Sequence, residues 1–257
     1  MNITRDYSIF NPTAYLQEYY TSFPSENLAV LRFLIQAFRT LPAHSLTLEF
    51  GSGPTLYSAI VAAGQVEEIH LSDYLAANRT EVQKWLHQHP EAFNWDETIR
   101  TVLALEGKEA AHAQVRTRAA EIRRRVKQVL PCDATCPAPL EGASQYYDVL
   151  VTNLCLEAVA TDKKHWRQCF RNVTSVLKPG GQLILTAVKG GNAYSVGQSV
   201  FAVVHLLEDD VTEALLEAGF APESISIKGI EANHPVYPYK GLMFVLAAKS
   251  AQGHPKF

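Results

Sequence analysis

Cysteine is scarce, with 4 in 257 residues, too few for the disulfide framework of a small secreted scaffold. No apolar run approaches the ~20 residues of a membrane span. The opening MNITRDYSIFNP lacks a basic start followed by an apolar core, so no secretory signal is expected there. Internal repeats and low-complexity blocks are missing too. A basic excess is absent: Lys+Arg 23 stands against Asp+Glu 26, a net charge of −3. That balance argues against a nucleic-acid partner. What is present is a 47% hydrophobic composition, in a chain long enough to bury roughly 70% of its unfolded surface without a metal staple. The expectation is a globular, cytoplasmic protein with no membrane partner. Of 11 tyrosines, Tyr7, Tyr15, Tyr19 and Tyr20 crowd into the first stretch.

Hydrophobic spacing predicts helix over much of 10–40, with starts or turns at Asn11-Pro12 and Pro24-Ser25. A buried strand over 45–50 ends in Gly51-Ser52-Gly53-Pro54. A helix over 55–63 follows, with Gly64 as its expected cap. A second strand over 66–72 ends at Asp73, before a helix over 75–87. This strand, glycine turn, helix, strand, acid order is a βαβ unit and implies a parallel sheet. The segment 90–130 reads as mostly helical, and its basic run (Arg116, Arg118, Arg123, Arg124, Arg125, Lys127) as a solvated face. Strands are expected at 129–133, 147–152 and 182–188, the last preceded by a Lys178-Pro179-Gly180-Gly181 turn. Helices are expected over 163–177 and 209–218. A late hairpin over 225–230 and 242–248 adds an antiparallel edge. The predicted fold is α/β: a doubly wound, seven-stranded, mostly parallel sheet.

The chemistry-bearing residues fall at strand ends, where open α/β sheets bind ligands. Gly51 and Gly53 let the backbone approach a ligand and turn sharply. The loop is neither G-x-G-x-x-G, since Leu56 takes the third position, nor a Gly-Lys-Ser/Thr phosphate cradle. Asp73, about 20 residues on, suits the two hydroxyls of a ribose; its competing role is to cap the following helix. Asp133 ends a third strand and suits an adenine amino group, or else is a turn residue. Asn153-Leu154-Cys155 follows the central strand. Cys132, Cys136, Cys155 and Cys169 include no C-x-x-C pair, so no metal site is expected.

The glycine loop, two acidic strand ends and the Lys178-Pro179-Gly180-Gly181 turn together resemble S-adenosylmethionine-dependent methyltransferases. A narrower likeness follows from Phe10-Asn11-Pro12, Tyr15-Leu16, Tyr19-Tyr20, Gly51-Ser52-Gly53-Pro54-Thr55, Ser72-Asp73-Tyr74 and Asn78. It continues through Gln83-Lys84-Trp85-Leu86, Pro90 to Trp95, Cys132-Asp133 and Leu154-Cys155-Leu156. Running from about Phe10 to about Lys249, the chain resembles the nicotinamide, phenylethanolamine and indolethylamine N-methyltransferase family.

The resemblance implies a single domain over 1–257, with 1–42 as a helical lid and 90–128 as a helical insert. It implies S-adenosylmethionine as cofactor and S-adenosylhomocysteine as product. Tyr15 and Tyr20 would close over the cofactor, and Gly51, Ser52, Gly53 and Tyr57 would meet its methionine part. Asp73, Tyr74 and Asn78 would serve the ribose side, Asp133 and Ala134 the adenine, and Asn153 the methionine end. An aromatic acceptor pocket is expected from Tyr7, Tyr194, Phe201, Val203, His205 and Tyr239. Thr186 stands where amine- and nicotinamide-methylating members carry an acid, so the acceptor is expected to be neither simply nicotinamide nor a catecholamine. Tyr15, Glu231 and His234 are the catalytic candidates, with Tyr237 in the same loop as His234. The expected partner is a small aromatic or heteroaromatic molecule methylated at nitrogen. Methylation at carbon, oxygen or sulfur, and cofactor sensing without turnover, stay open, as does the oligomeric state.

Overall fold

The computed structural model describes residues 3–22, 24–140, 146–232 and 239–251. The chain opens with β1 (Ile3–Thr4), α1 (Pro12–Tyr20) and α2 (Ser25–Arg39). It continues through β2 (Leu46–Phe50), α3 (Tyr57–Ala62), β3 (Glu68–Asp73), α4 (Ala76–Leu86), α5 (Asp96–Leu105) and α6 (His112–Arg125). Then come β4 (Val126–Pro131), β5 (Tyr147–Asn153), α7 (Leu156–Val159), α8 (Lys163–Thr174) and β6 (Leu177–Lys189). The last elements are β7 (Ala193–Val196), β8 (Ser199–Ala202), α9 (Glu208–Glu217), β9 (Ser226–Glu231) and β10 (Gly241–Ala248).

Seven strands form one sheet in the order β4-β3-β2-β5-β6-β10-β9. Only β10 runs antiparallel, to both β6 and β9. Its central strands are near-continuous apolar runs: Leu48, Phe50, Val149, Leu150, Val151, Leu183, Ile184 and Leu185 are all buried. That is the signature of strands covered on both faces. One core gathers residues of α2, α3, α5 and α6, including Phe38, Ile60 and Ile99. The other gathers α8 and α9 around Trp166 and Phe170. From β2 the chain winds outward through β3 and β4, then returns to place β5 on the other side of β2. The ends of β2 and β5 therefore flank the switch point, where ligands bind in such sheets.

Local sequence sets the N-terminal helices. The Asn11 side chain accepts from Ala14 N at 3.0 Å, and Pro12 opens α1, as capping chemistry favours. Glu26 in the first turn of α2 and Arg39 in its last complement the helix dipole.

Several features differ from the sequence reading. The turn at Lys178-Pro179-Gly180-Gly181 lies inside β6 as a bulge: Leu177 pairs with Tyr147, but Gln182 is the residue opposite Val149. Gly180 there takes φ +76°. The helical segment stops at Arg125, because β4 already begins at Val126 and pairs with β3. The basic run is not one solvated face. Arg118 is buried, pairs with Glu106 at 2.7 Å and donates to Ile60 O at 2.9 Å. Arg123 lies 4.0 Å from the Trp85 ring centroid. Gly64 is needed for space: a Cβ there would meet the Arg118 guanidinium at 2.9 Å.

A second sheet, β1-β8-β7, has no forerunner in the sequence reading. β7 and β8 form a hairpin with Val196 opposite Ser199, leaving Gly197-Gln198 as a two-residue loop. Gly197 sits first, at φ +58°, where such tight hairpins favour glycine. β1 adds in parallel, Ile3 opposite Val200 and Thr4 opposite Phe201. No helix among the described residues is long and apolar enough to cross a membrane.

Candidate active site

A cavity of about 850 Å³ opens at the carboxyl ends of β2 to β5, with residues of α1 and the β7–β8 hairpin also lining it. Its floor is the glycine loop. Gly51 N and Ser52 N both donate to Ser72 O at 2.9 Å, which pins the loop to β3. Gly51 takes φ +71°, and a Cβ there would stand 2.0 Å from Cys155 Sγ. Only glycine satisfies both demands.

Asp73 closes β3 and is 7% exposed. One carboxylate oxygen accepts from Gly53 N at 2.8 Å, the other from Leu75 N and Asn78 Nδ2, each at 2.9 Å. It thus ties the start of α4 to the glycine loop. Burial raises its pKa, and those hydrogen bonds work against the rise. An ionised carboxylate has about four accepting sites, so roughly one remains. Beside it, Asn78 Oδ1 is buried without a partner.

Asp133 lines the cavity too, and also organises a turn. It accepts from Thr135 N at 2.8 Å and Thr135 Oγ1 at 2.7 Å. Burial pushes its pKa up, but the bonds from Thr135 and Cys136 prevail and hold it below the usual carboxylate value.

At the end of β5, Asn153 donates to Ser58 Oγ at 3.0 Å, while its buried Oδ1 has no partner. Leu154 then turns through φ +53°, a conformation costly for a branched side chain. The turn is fixed by Leu154 N donating to Thr186 O at 2.7 Å. It aims α7 so that Glu157 lines the cavity. Glu157 is 1% exposed. Its Oε1 accepts from Val188 N at 2.9 Å, and its Oε2 is buried without a partner. Burial lifts its pKa to about 7. Sequence reasoning stops at Cys155 and misses this residue; the one signal available is an acid just past the central strand. Glu49, on β2, is also buried, and burial lifts it to about 8.

Aromatic rings form the other wall. Tyr20 stacks on Tyr57 at 5.5 Å, and Tyr15 lies 5.8 Å from Tyr20. The Tyr7 hydroxyl donates to Ala158 O at 3.2 Å and receives from Tyr194 at 3.4 Å. Burial pushes the Tyr7 hydroxyl up to about 12. Tyr239 donates to the Glu26 carboxylate.

Of the residues expected at the site, Tyr7, Tyr15, Tyr20, Gly51, Ser52, Gly53, Tyr57, Asp73, Tyr74, Asn78, Asp133, Ala134, Asn153, Tyr194, Val203 and Tyr239 line this cavity. Four do not, His205 among them. Thr186 is fully buried in the sheet, opposite Asn153 and Phe244; Val188, two residues on, is the β6 residue that reaches the cavity. Phe201 is buried beneath the rings of Tyr7, Phe10 and Tyr194, with centroids at 5.0, 5.7 and 5.5 Å. Glu231 is exposed at the end of β9 and faces a neighbouring depression with Ser25, Glu26 and Ala29, of which Glu26 also borders the cavity. His234 and Tyr237 lie outside the described residues.

The residues present fit an adenosyl cofactor. A diol needs two acceptors, and the spare site on Asp73 and the orphan Asn78 Oδ1 supply two. An ammonium needs acceptors as well, and Asn153 Oδ1 is one left open.

Comparison with known proteins agrees. The NNMT/PNMT/TEMT family matches residues 2–250. Indolethylamine N-methyltransferase of Oryctolagus cuniculus is 32% identical over 248 residues, 93% of each chain. Phenylethanolamine N-methyltransferase of Homo sapiens is 34% identical over 257 aligned positions, 95% of this chain and 90% of that one. A glycopeptide N-methyltransferase solved with S-adenosylhomocysteine shares the fold, with TM-score 0.56 and 14% identity over 96% of this chain and 100% of that one. The chain belongs to the NNMT/PNMT/TEMT family and is an S-adenosylmethionine-dependent methyltransferase.

Proposed function

We propose that the protein methylates a nitrogen on a small aromatic or heteroaromatic acceptor, with Glu157 as the proton acceptor. The observation that carries this is the orphan Glu157 Oε2, buried at a cavity whose wall includes Tyr7 and Tyr194. Bound S-adenosylmethionine supplies an activated methyl on a sulfonium. Gly51, Ser52 and Asn153 would hold its methionine part, Asp73 and Asn78 its ribose, and Asp133 with Ala134 its adenine. Tyr15, Tyr20 and Tyr57 would cover it and exclude water. Tyr7, Tyr194 and Val203 would sandwich the acceptor ring and fix its nitrogen in line with the methyl.

An amine arriving as its ammonium has no lone pair to offer. Glu157, with a pKa near 7, is matched to take that proton at neutral pH. The proton would pass from nitrogen to Oε2, and the freed lone pair would take the methyl as its bond to sulfur breaks, leaving S-adenosylhomocysteine. Glu157→Gln should lower kcat/KM for protonated amines by roughly 10²–10⁴-fold and leave calorimetric S-adenosylhomocysteine affinity unchanged. Undiminished turnover would overturn the assignment.

The relatives named above are named for the amines they methylate; we infer that the carboxyl offered to the acceptor here is that of Glu157, which lines the cavity, and that the buried Thr186 takes no part. We place the chain in one domain whose surplus length serves the site through residues 1–42. Four free cysteines fit a cytoplasmic setting.

A further inference from the structure

Among the described residues, Arg5 is the one Lys or Arg side chain lining the cavity. β1 positions it by pairing with β8. Its guanidinium donates to Ala160 O and, at 3.3 Å, to Thr161 O. These anchors lie just past α7, the helix that carries Glu157, and Tyr7 is bonded to Ala158 on the same turn. Arg5 forms no ion pair among the described residues, and the fork has five N–H groups, so donors remain. Two other charges at this end are already engaged. Glu18 accepts from Gly197 N at 2.7 Å, and Glu26 accepts from Tyr239. Arg5, anchored on the carbonyls just past α7, and Glu157, on α7 itself, are thus a cation and an acid brought to one end of the cavity, each without a charged partner among the described residues. Both act on the Tyr7 hydroxyl, in opposite directions.

We propose that Arg5 is a specificity residue and that the acceptor is dipolar, its nitrogen toward Glu157 and a carboxylate toward the Arg5 guanidinium. The proposal rests on the nitrogen-methylation reading above. A guanidinium held by two carbonyls presents a pre-oriented fork to a carboxylate. A monoanion fits better than a phosphate dianion, because Glu18, Glu26 and Glu157 line the same cavity and like charges oppose a second negative charge. Arg5 itself is exposed, which places the carboxylate at the cavity mouth and the reacting nitrogen inside.

The test uses matched probes on the full chain saturated with S-adenosylhomocysteine: nicotinate against nicotinamide, and tryptophan against tryptamine, by calorimetry. The carboxylate member of at least one pair should bind about tenfold tighter or better, equivalent to roughly 1.4 kcal/mol. Arg5→Gln should bring that ratio near one, and Arg5→Lys should restore part of it, while affinity for S-adenosylhomocysteine stays unchanged. A wild-type ratio of one or less in both pairs overturns the proposal, as does a preference that survives Arg5→Gln. Loss of S-adenosylhomocysteine affinity in Arg5→Gln and Arg5→Lys alike also overturns it, since Arg5 would then serve the cofactor. A carboxylate preference that depends on Arg5, with no methylated product from labelled cofactor, supports Arg5 and counts against Glu157 alone.

Discussion

Gly51 is held by two independent constraints, and substitutions can separate them. Its φ of +71° and the 2.0 Å approach of Cys155 Sγ to any Cβ both oppose Gly51→Ala. That change should lower thermal stability and weaken S-adenosylhomocysteine binding by an order of magnitude or more. Adding Cys155→Ala removes the Sγ collision but leaves the Cβ of residue 155 at 2.8 Å and the backbone strain of about 1 kcal/mol, so recovery should be partial. Full recovery, or none, would show that one constraint acts alone. The loop was legible because two glycines directly after a buried strand point to a sharp turn and a close backbone approach. Asp73 was legible for a like reason, as an acid closing the next strand. Glu157 was illegible because its burial is set by the Leu154 turn and by Val188, 31 positions away. Thr186 was misplaced because its neighbours cover it: it shares a strand face with Val188 and pairs with Asn153, and those two line the cavity while Thr186 is fully buried.

Helices and strands were readable wherever one hydrophobic pattern ran long enough, as in β2, β5 and α2. The β1-β8-β7 sheet was not, because β1 has 2 residues and its pairing joins segments about 200 positions apart. α6 failed for a different reason. Its arginines look alike in sequence, yet Arg118 occupies the space that Gly64 leaves and meets Glu106, both with side chains only 3% exposed. Removing one partner of a buried pair leaves the other charge stranded. Arg118→Leu should therefore cost about 3 kcal/mol of unfolding free energy, a value that Lys108, 2.8 Å from the same Glu106 oxygen, keeps from rising higher. Gly64→Ala should destabilise in the same direction by pressing on the guanidinium. Denaturant melts of the two variants give the comparison, and an Arg118→Leu protein as stable as the parent would refute it.

Across the whole molecule, the switch point gathers buried carboxyls in one place: Glu49 on β2, Asp73 on β3 and Glu157 after β5. Burial raises the pKa of all three, to about 8 for Glu49 and about 7 for Glu157, against an ordinary 4.5. Between the ordinary and raised values the folded chain binds more protons than the unfolded one, so stability falls as pH rises. The lowered carboxylates Glu106, Asp133 and Asp148 act in the opposite sense, but only below about pH 4.5. From about pH 5 to about pH 8.5 the buried acids should therefore dominate. The melting temperature of the ligand-free protein should drop across that window, reflecting a loss on the order of a few kcal/mol. Glu49→Gln with Glu157→Gln should flatten the profile, and scanning calorimetry of both proteins tests it. A parent profile that rises with pH, or a double variant that keeps the full slope, would show that these carboxyls are not held neutral by the fold.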